Sequence, residues 1–266
     1  MTARALPPQG AGPALSVLPL PGVPMIEHGD DLAAIIGRAA AQAELTLANG
    51  DVVCVAQKVV SKAEGRLVAL STVCPGAEAR RLARETHKDP RLVQLILDES
   101  TEVVRKKPGV LIVRHRLGLV AAHAGIDQSN IRHGDGGDDH ALLLPEDPDA
   151  SAAALRSALE SSSGCRLGVI ITDSSNRPWR LGTVGAAIGC AGVRVLDDHR
   201  GGRDLYGREL NVTLINRADA LATTATLVMG ETTEATPVAL IRGLAPDDAD
   251  EPASSIIRPL DEDLFR

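Results

Sequence analysis

Aromatic side chains are almost absent from this sequence: 266 residues include one tryptophan, one tyrosine and one phenylalanine. This scarcity removes the stacking platforms on which proteins bind single-stranded nucleic acid. It also removes most ways of stacking a flavin ring. The hydrophobic core must therefore be built from Val, Leu, Ile and Ala.

A surplus of positive charge and a long apolar run are lacking as well. The chain has 28 Lys and Arg against 35 Asp and Glu, a net charge of −7, which argues against a nucleic-acid partner. No apolar run approaches the roughly 20 residues of a membrane helix, and the N-terminus has no hydrophobic segment of a secretion signal. The sequence thus predicts a protein without a membrane partner.

The four cysteines, Cys54, Cys74, Cys165 and Cys190, do not have the spacing of a metal finger. We interpret them as small hydrophobic residues in the reducing cytoplasm, where we expect the protein to act.

The predicted organisation is a single folded unit with two tails. Residues 1–13 are rich in Pro, Gly and Ala, and we predict them to be disordered. The folded domain is predicted over 14–245, and 246–266 form a polar, acidic tail. No Gly/Ser linker divides the chain, so any two lobes are expected to be intimately joined.

Hydrophobic patterning predicts a mixture of strands and helices. Two short apolar runs, 52–56 and 169–171, predict buried strands, the second ending at Thr172. One helix is predicted to follow Asp31, and four more cover 77–87, 89–100, 147–161 and 217–229. Gly182, Gly185, Gly189 and Gly192 recur at steps of three and four residues, which predicts a helix whose bare side lets another backbone come close.

Chemistry-bearing residues follow several of these strands. Asp173 lies where a buried strand surfaces, with Arg177 and Arg180 close behind. A carboxylate beside guanidinium groups suits a hard cation together with a phosphate or carboxylate, although a polar turn with solvated arginines has the same pattern. Lys58 and Lys62 follow the first strand and either neutralise phosphates or belong to a solvated amphipathic segment.

Two further segments carry the same kind of residues. Asp127 follows another predicted strand, with Asn130 three residues later. The segment 199–210 holds Arg200, Arg203 and Arg208, a density that suggests anion handling or scattered surface salt bridges.

Seven short stretches, taken together, resemble one known family. They are Gly-Val-Pro at 22–24, Val-Val-Ser-Lys-Ala-Glu-Gly-Arg at 59–66, Ala-Gly-Ile-Asp-Gln-Ser-Asn at 124–130, Leu-Leu-Leu-Pro with Asp-Pro-Asp at 142–149, Gly-Val-Ile-Ile-Thr-Asp at 168–173, Asp-Leu-Tyr-Gly-Arg-Glu-Leu at 204–210 and Met-Gly-Glu at 229–231. In this order they resemble the coenzyme F420-0:L-glutamate ligases, the gamma-glutamyl ligases of F420 biosynthesis. The resemblance covers roughly residues 16–244.

The resemblance implies an α+β fold of two intimately joined lobes of mixed sheet and helices, formed as an intertwined homodimer. It is not a P-loop fold, and no Gly-x-x-x-x-Gly-Lys-Ser/Thr motif occurs here. The implied substrates are GTP, L-glutamate and coenzyme F420-0. The implied cofactors are two divalent ions, Mg²⁺ or Mn²⁺, with K⁺ as a further candidate.

The resemblance also assigns residues, by match of motif. Asp127 and Asp173 are similar to ligands of one metal, Ser174 and Glu231 to ligands of a second, and Asp127, Asp173 and Lys62 become the candidate catalytic residues. The positions similar to GTP-binding ones are Val23, Pro24, Met25, Ile26, Gln57, Lys58, Lys62, Asn130, Met229, Gly230, Glu231, Thr232, Thr233, Glu234, Ala235 and Thr236. From charge alone, the candidates for holding substrate anions are Arg177, Arg180, Arg200, Arg203 and Arg208.

The implied reaction is formation of an amide bond between the terminal carboxylate of F420-0 and the amine of L-glutamate. The expected route is an acyl phosphate made with GTP, with further gamma-linked glutamates as an extension. Three alternatives stay open at this point: a ligase of the same fold with a different acceptor acid, a metal-dependent nucleotide hydrolase and a non-catalytic nucleotide-binding protein.

Overall fold

The computed structural model describes residues 14–134, 139–176, 179–244 and 249–264. The predicted N-terminal tail, 1–13, lies outside these ranges. The described strands are β1 (Ser16–Pro19), β2 (Val52–Ala56), β3 (Leu67–Ala69), β4 (Ser100–Lys107), β5 (Val110–His115), β6 (Val120–Ala122), β7 (His140–Leu142), β8 (Gly168–Asn176), β9 (Thr183–Ala191), β10 (Leu196–Asp198), β11 (Leu214–Asn216) and β12 (Val238–Arg242). The helices are α1 (Leu32–Gln42), α2 (Gln57–Ala63), α3 (Ala77–Thr86), α4 (Pro90–Asp98), α5 (Pro148–Ser163) and α6 (Arg217–Met229). The predicted mixed α+β class is confirmed.

A five-stranded sheet forms the larger lobe, in the order β1-β12-β2-β8-β9. Strands β2 and β8 lie side by side and parallel, with Val52 opposite Gly168, while the other neighbours are antiparallel. Residues next to each other in β2 therefore point to opposite faces. Val53 and Val55 pack with α1 and α5 on one face, and Val52 and Cys54 pack with α6 on the other. Both faces are covered, which explains the continuous apolar runs in these strands.

Helix boundaries follow the local capping chemistry. The carboxylate of Asp31 accepts a hydrogen bond from Ala34 N at the start of α1, and Asp147 accepts one from Ala150 N at the start of α5. Asp89 caps α4 in the same way, and Pro90 occupies the first helical turn, where its missing N–H leaves nothing unpaired. The predicted helices near these residues are therefore present, with the ends of α4 and α5 shifted by one or two residues.

The glycine-rich segment is a strand, so the prediction of a helix over 182–192 is wrong. Gly185 and Gly189 lie in β9, and a Cβ at either position would collide with helix backbone, that of Ala222 in α6 or that of Pro148 in α5. The close backbone approach expected of these glycines is therefore confirmed. The structure uses it to seat two helices against one strand.

The last strand of this sheet is also protected at its edge by acidic side chains. Asp219 of α6 accepts a hydrogen bond from Ala187 N at 2.8 Å, and Asp149 of α5 accepts one from Cys190 N at 2.9 Å. These carboxylates satisfy N–H groups that an edge strand otherwise leaves open to another chain.

Strand β8 is longer than the sequence predicts. It continues through Thr172 to Asn176 because β9 pairs with it over that whole length, with a register shift between Ile171 and Thr172. Asp173 is thus held on a strand rather than in a turn, and its side chain has a fixed direction.

The smaller lobe consists of the antiparallel sheet β4-β5-β6 packed with α3 and α4. Buried Leu82, Val93, Ile96 and Leu111 form its separate core. The segment 249–264 crosses between the lobes: Ala253 N donates to Asp149 of the larger lobe, and Asp263 lies 3.3 Å from Arg114 of the smaller one.

A β-hairpin that we call the arm, residues 196–216, projects from the larger lobe. It consists of β10, β11 and the loop between them. Its side chains of Leu205, Tyr206 and Val212 are 78%, 96% and 87% exposed. Among the described residues, no helix is long and apolar enough to cross a membrane.

Candidate active site

A cavity of about 370 Å³ lies at the carboxyl ends of the parallel strands β2 and β8. Side chains that follow parallel strands converge there, which is where α/β sheets commonly bind ligands. Its walls come from four segments and from Asn130; the segments are 23–26, 56–62, 172–174 and 229–237. Residues far apart in the chain therefore line one cavity.

Asp127 is fixed in place beside this cavity. Its backbone N–H donates to Leu142 O at 2.9 Å, and its carbonyl accepts from Leu142 N at 2.8 Å. Its Oδ2 receives two donors, Gln57 Nε2 at 2.8 Å and Lys58 Nζ at 2.7 Å. Backbone and carboxylate are thus held independently of each other.

The turn that precedes Asp127 is strained. His123 and Ala124 have φ of 55° and 58°, in the left-handed region that costs a residue with a Cβ on the order of 1–3 kcal/mol. Strain of this kind persists only where surrounding structure enforces it, and it is frequent at functional sites.

Asp173 faces the same cavity with an altered acidity. Its pKa is raised to about 7 because burial disfavours the charged carboxylate and the negative charge of Asp127 adds to this effect. Lys58 opposes the rise, while Glu231 contributes to it. Two carboxylates from residues 127 and 173 are therefore close enough to repel each other.

A third carboxylate reaches the site from the end of α6. Ser174 Oγ donates a hydrogen bond to Glu231 Oε2, which ties β8 to the loop after Met229. Asp173 and Ser174 are neighbours on one strand, so the two predicted ligand pairs, Asp127–Asp173 and Ser174–Glu231, share one wall.

Two lysines supply positive charge. Lys58 contacts Asp127, whereas Lys62 Nζ donates to the carbonyl of Asn130 at 2.9 Å. The pKa of Lys62 is lowered by burial and by the charge of Lys58, with Asp127 opposing. Asn130 in turn donates through Nδ2 to Thr232 O at 3.0 Å, which closes the cavity between the two loops.

The donor set suits hard divalent cations. The polar groups at this wall are carboxylates of Asp127, Asp173 and Glu231 and the hydroxyl of Ser174, all oxygen ligands. Within the described ranges, no group of three or more His, Cys, Asp or Glu side chains has the arrangement of a metal site made by the protein alone. Mg²⁺ characteristically uses one or two carboxylates together with substrate phosphates and water, so the residues present fit such an ion.

The structure brings together nearly all residues that the resemblance assigned. All of the assigned GTP-binding positions line the cavity, as do Asp173 and Ser174, and Asp127 bonds to two of the lining residues. Whether they bind GTP or metal stays a prediction.

The predicted arginines do not join this group. Arg177 lies outside the described residues, and the cavity wall contains no arginine among those that the structure describes. Arg200 pairs with Asp198 at 2.6 Å, Arg203 donates to Gly207 O at 2.8 Å, and Arg180 and Arg208 are exposed. These side chains lie on the arm or at the β8–β9 connection.

The sequence interpretation missed two polar residues at the site. Ser61 is fully buried and donates through Oγ to Gln57 Oε1 at 2.9 Å. Thr172 lies in the cavity wall, and its buried Oγ1 has no hydrogen-bond partner among the described residues. The spacing of Gln57 and Ser61, four residues apart on a helix, is a signal that predicts their contact.

Comparison with known proteins identifies the family. The family model described as F420-0:Gamma-glutamyl ligase matches residues 22–243. A protein named Coenzyme F420:L-glutamate ligase from Methanopyrus kandleri is 45% identical over 261 residues, covering 97% of this chain and 100% of the relative. Proteins of the same name from Methanothermobacter thermautotrophicus and Methanocaldococcus jannaschii are 40% and 42% identical, over 95% and 84% of this chain and 99% and 88% of the relatives. The prediction of an enzyme of this ligase family is confirmed: the chain belongs to the F420-0:gamma-glutamyl ligase family.

Proposed function

We propose that this protein uses GTP to join the terminal carboxylate of coenzyme F420-0 to the amine of L-glutamate, with further gamma-linked glutamates as an extension. The observation that carries the proposal is one cavity lined by Asp173, two lysines and the loop 229–237, with Asp127 bonded to the lining residues Gln57 and Lys58. Membership of the family supports the glutamate-ligating role.

Two divalent ions, Mg²⁺ or Mn²⁺, fit the oxygen donors, one with Asp127 and Asp173 and one with Ser174 and Glu231. When bound, such ions offset the negative charge of the triphosphate and of the attacking carboxylate. Ionised Asp173 is stabilised by a cation, because its raised pKa reflects unfavourable burial and repulsion by Asp127.

Lys58 and Lys62 act on the phosphates. Both ammonium groups lie in the cavity wall, and Lys62 is tethered through Asn130 O. Positive charge at these positions stabilises the charge that develops on the transferred phosphoryl group. The segments 23–26 and 229–236 enclose the remainder of the nucleotide.

The chemistry proceeds in two transfers. The carboxylate oxygen of F420-0 attacks the γ-phosphorus of GTP, the bond to the bridging oxygen breaks, and GDP leaves with an acyl phosphate formed. The glutamate amine then attacks the acyl carbon, inorganic phosphate leaves, and the amine loses a proton. Holding amine and acyl carbon together can supply up to about 7–11 kcal/mol of the barrier reduction.

The arm supports a homodimer as the working form. Leu205, Tyr206 and Val212 are exposed apolar side chains on it, at 78%, 96% and 87%. A patch of this kind marks an interaction surface rather than ordinary solvent-facing structure.

The unpaired cysteines agree with a reducing compartment, the cytoplasm.

The test incubates purified protein with GTP, Mg²⁺, F420-0 and L-glutamate, and follows phosphate release and product mass together. We expect phosphate release to require both acceptors, and F420-0 to gain the mass of glutamate less water. Release without either acceptor would indicate a nucleotide hydrolase. Release with another acid in place of F420-0 would indicate a ligase of the same fold with a different acceptor.

A further inference from the structure

A hydrogen-bond chain behind the cavity connects two buried polar side chains to Asp127. Ser61 Oγ donates to Gln57 Oε1 at 2.9 Å, and Gln57 Nε2 donates to Asp127 Oδ2 at 2.8 Å. Ser61 and Gln57 are 0% and 1% exposed, although Gln57 opens α2 immediately after β2. The chain therefore runs from the protein interior to the cavity wall.

The direction of the Gln57 amide is determined by this arrangement. Asp127 as a carboxylate only accepts hydrogen bonds, so the NH₂ group of Gln57 must face it. The carbonyl end then faces Ser61, whose hydroxyl donates to it. A flipped amide would place the amide oxygen of Gln57 against the acceptor oxygen of Asp127 and leave buried polar groups unpaired, which is unfavourable.

The consequence for Asp127 is an unequal use of its two oxygens. Oδ2 carries both protein donors, Gln57 and Lys58, and the backbone of the same residue is tied to Leu142. Rotation of the carboxylate would break both side-chain contacts. Oδ1 is consequently the oxygen left to face a ligand.

We propose that Gln57, held in place by the hydrogen bond from Ser61, is a positioning residue that presents Asp127 Oδ1 to a divalent cation. This inference rests on the proposed function, since it concerns the predicted metal ligand Asp127. It gives Gln57 a role different from the nucleotide contact assigned by resemblance: both polar ends of its side chain are used inside the protein. Partners that orient a metal ligand typically affect metal affinity by 10- to 100-fold.

The test measures Mn²⁺ affinity of the full chain, with and without GDP, from the electron paramagnetic resonance signal of the free ion. The variants are Gln57→Met and Ser61→Ala. Gln57→Met keeps the length of the side chain but cannot form its hydrogen bonds, and Ser61→Ala removes only the hydroxyl that donates to Gln57. We expect Mn²⁺ to bind about tenfold more weakly to Gln57→Met and about threefold more weakly to Ser61→Ala. The Mg²⁺ concentration for half-maximal activity should rise correspondingly in both variants, and Ser61→Ala should change kcat at saturating Mg²⁺ less than about twofold.

A matched control separates positioning from general stability. Thr86→Val removes another fully buried hydroxyl, which donates to Leu82 O in α3, distant from the cavity. We expect it to lower thermal stability and leave Mn²⁺ affinity unchanged. If Gln57→Met does the same, the positioning role is wrong while the proposed ligase stands. If the wild-type protein binds no Mn²⁺ in either condition, the metal assignment itself fails, and the positioning role with it.

Discussion

The cavity and the arm both contain charged residues that the sequence marks as candidates, yet they are built in opposite ways. In the cavity, Asp127 and Lys62 are fixed by contacts with segments distant along the chain. On the arm, the side chains of Arg200 and Arg203 bond to residues two and four positions away, and their neighbours Leu205 and Tyr206 face outward.

The difference teaches which signals carry functional information. Long-range polar contacts around the cavity show which residues the fold brings together from distant segments. Local ion pairs beside exposed apolar side chains are the basis for the proposed dimer surface. Tyr206, the single tyrosine of the chain, lies on the arm and is 96% exposed.

The largest effect is expected from the carboxylates of the cavity. Asp127→Asn and Asp173→Asn keep size and remove charge, and each should lower glutamate incorporation by about 10³-fold or more, because cation binding at the phosphates is lost. Mass spectrometry of the F420 product measures this. Circular dichroism should show intact folding, and near-normal turnover in both variants would refute the metal assignment.

Charges introduced on the arm should destabilise the proposed dimer. Replacing both Leu205 and Tyr206 by Asp places two charges in the proposed dimer surface, and the dimer should dissociate at least about 100-fold more readily. Sedimentation velocity measures the change. Leu264→Asp, at an 88% exposed leucine outside the arm, serves as the control and should leave the dimer intact. If the wild-type protein sediments as a monomer, the proposed dimer interface is wrong.

Two carboxylates with the same lowered pKa, about 2, allow a matched comparison of a buried and an exposed ion pair. Burial raises the pKa of Glu99, but its hydrogen bond with His115 and the charges of Arg66 and Arg116 outweigh this effect. Glu99→Gln should lower the free energy of unfolding by about 2–3 kcal/mol at pH 7. Asp198→Asn on the arm should change it little, because Asp198 and its partner Arg200 are both exposed to solvent.

The direction of the pKa shift of Glu99 determines how its contribution to stability depends on pH. A lowered pKa contributes stability above the unfolded value of 4.5, and that contribution is lost as pH falls towards 2. Chemical denaturation of both variants at pH 7 and pH 2.5 should show the Glu99 difference shrinking in acid. Equal losses for Glu99 and Asp198 at pH 7 would contradict the distinction between the two regions.

For Asp173, the effect of pH on folding stability should have the opposite sign. Its pKa rises from 3.8 to about 7 on folding, so stability decreases as pH increases between these values. In the presence of EDTA, Asp173→Asn should therefore stabilise the protein by about 2 kcal/mol at pH 8 and have little effect at pH 4. Thermal melts at the two pH values measure this. Destabilisation at pH 8 would show that the carboxylate is not repelled in the folded protein.

The smallest effect is expected from arm arginines. Arg200→Ala, Arg203→Ala and Arg208→Ala should each alter KM for F420-0 less than about threefold, since none lies in the cavity of its own chain. Steady-state kinetics with F420-0 as the varied substrate measures them. A tenfold increase in KM would restore their role as contacts for a substrate anion.

Patterns repeated along the chain predicted much of the fold. Strand β2 and helix α6 have the predicted bounds, because continuous burial of 52–56 and the Asn216 cap are local signals. The glycines of β9 were misassigned because steps of three and four residues also arise in a strand with a register shift. Only tertiary packing against Ala222 and Pro148 separates the two interpretations.

The site was predictable where the motifs of the resemblance preserved residue types, as for Asp127, Asp173 and Asn130. What joins these residues could not be derived from any one segment, because the contacts span 68 to 102 positions. Charge density alone did not indicate where Arg200 and Arg208 lie relative to the cavity, since it gives no indication of which face of the fold a loop occupies, and their role with substrate anions stays a prediction.

The most direct measurement is anomalous X-ray scattering from crystals grown with Mn²⁺ and GTP. The account predicts a manganese peak within about 2.0–2.3 Å of carboxylate oxygens of both Asp127 and Asp173, with phosphate oxygens completing its ligands. Manganese bound elsewhere, with these two carboxylates on separate sides of the cavity and no shared ion, would contradict it.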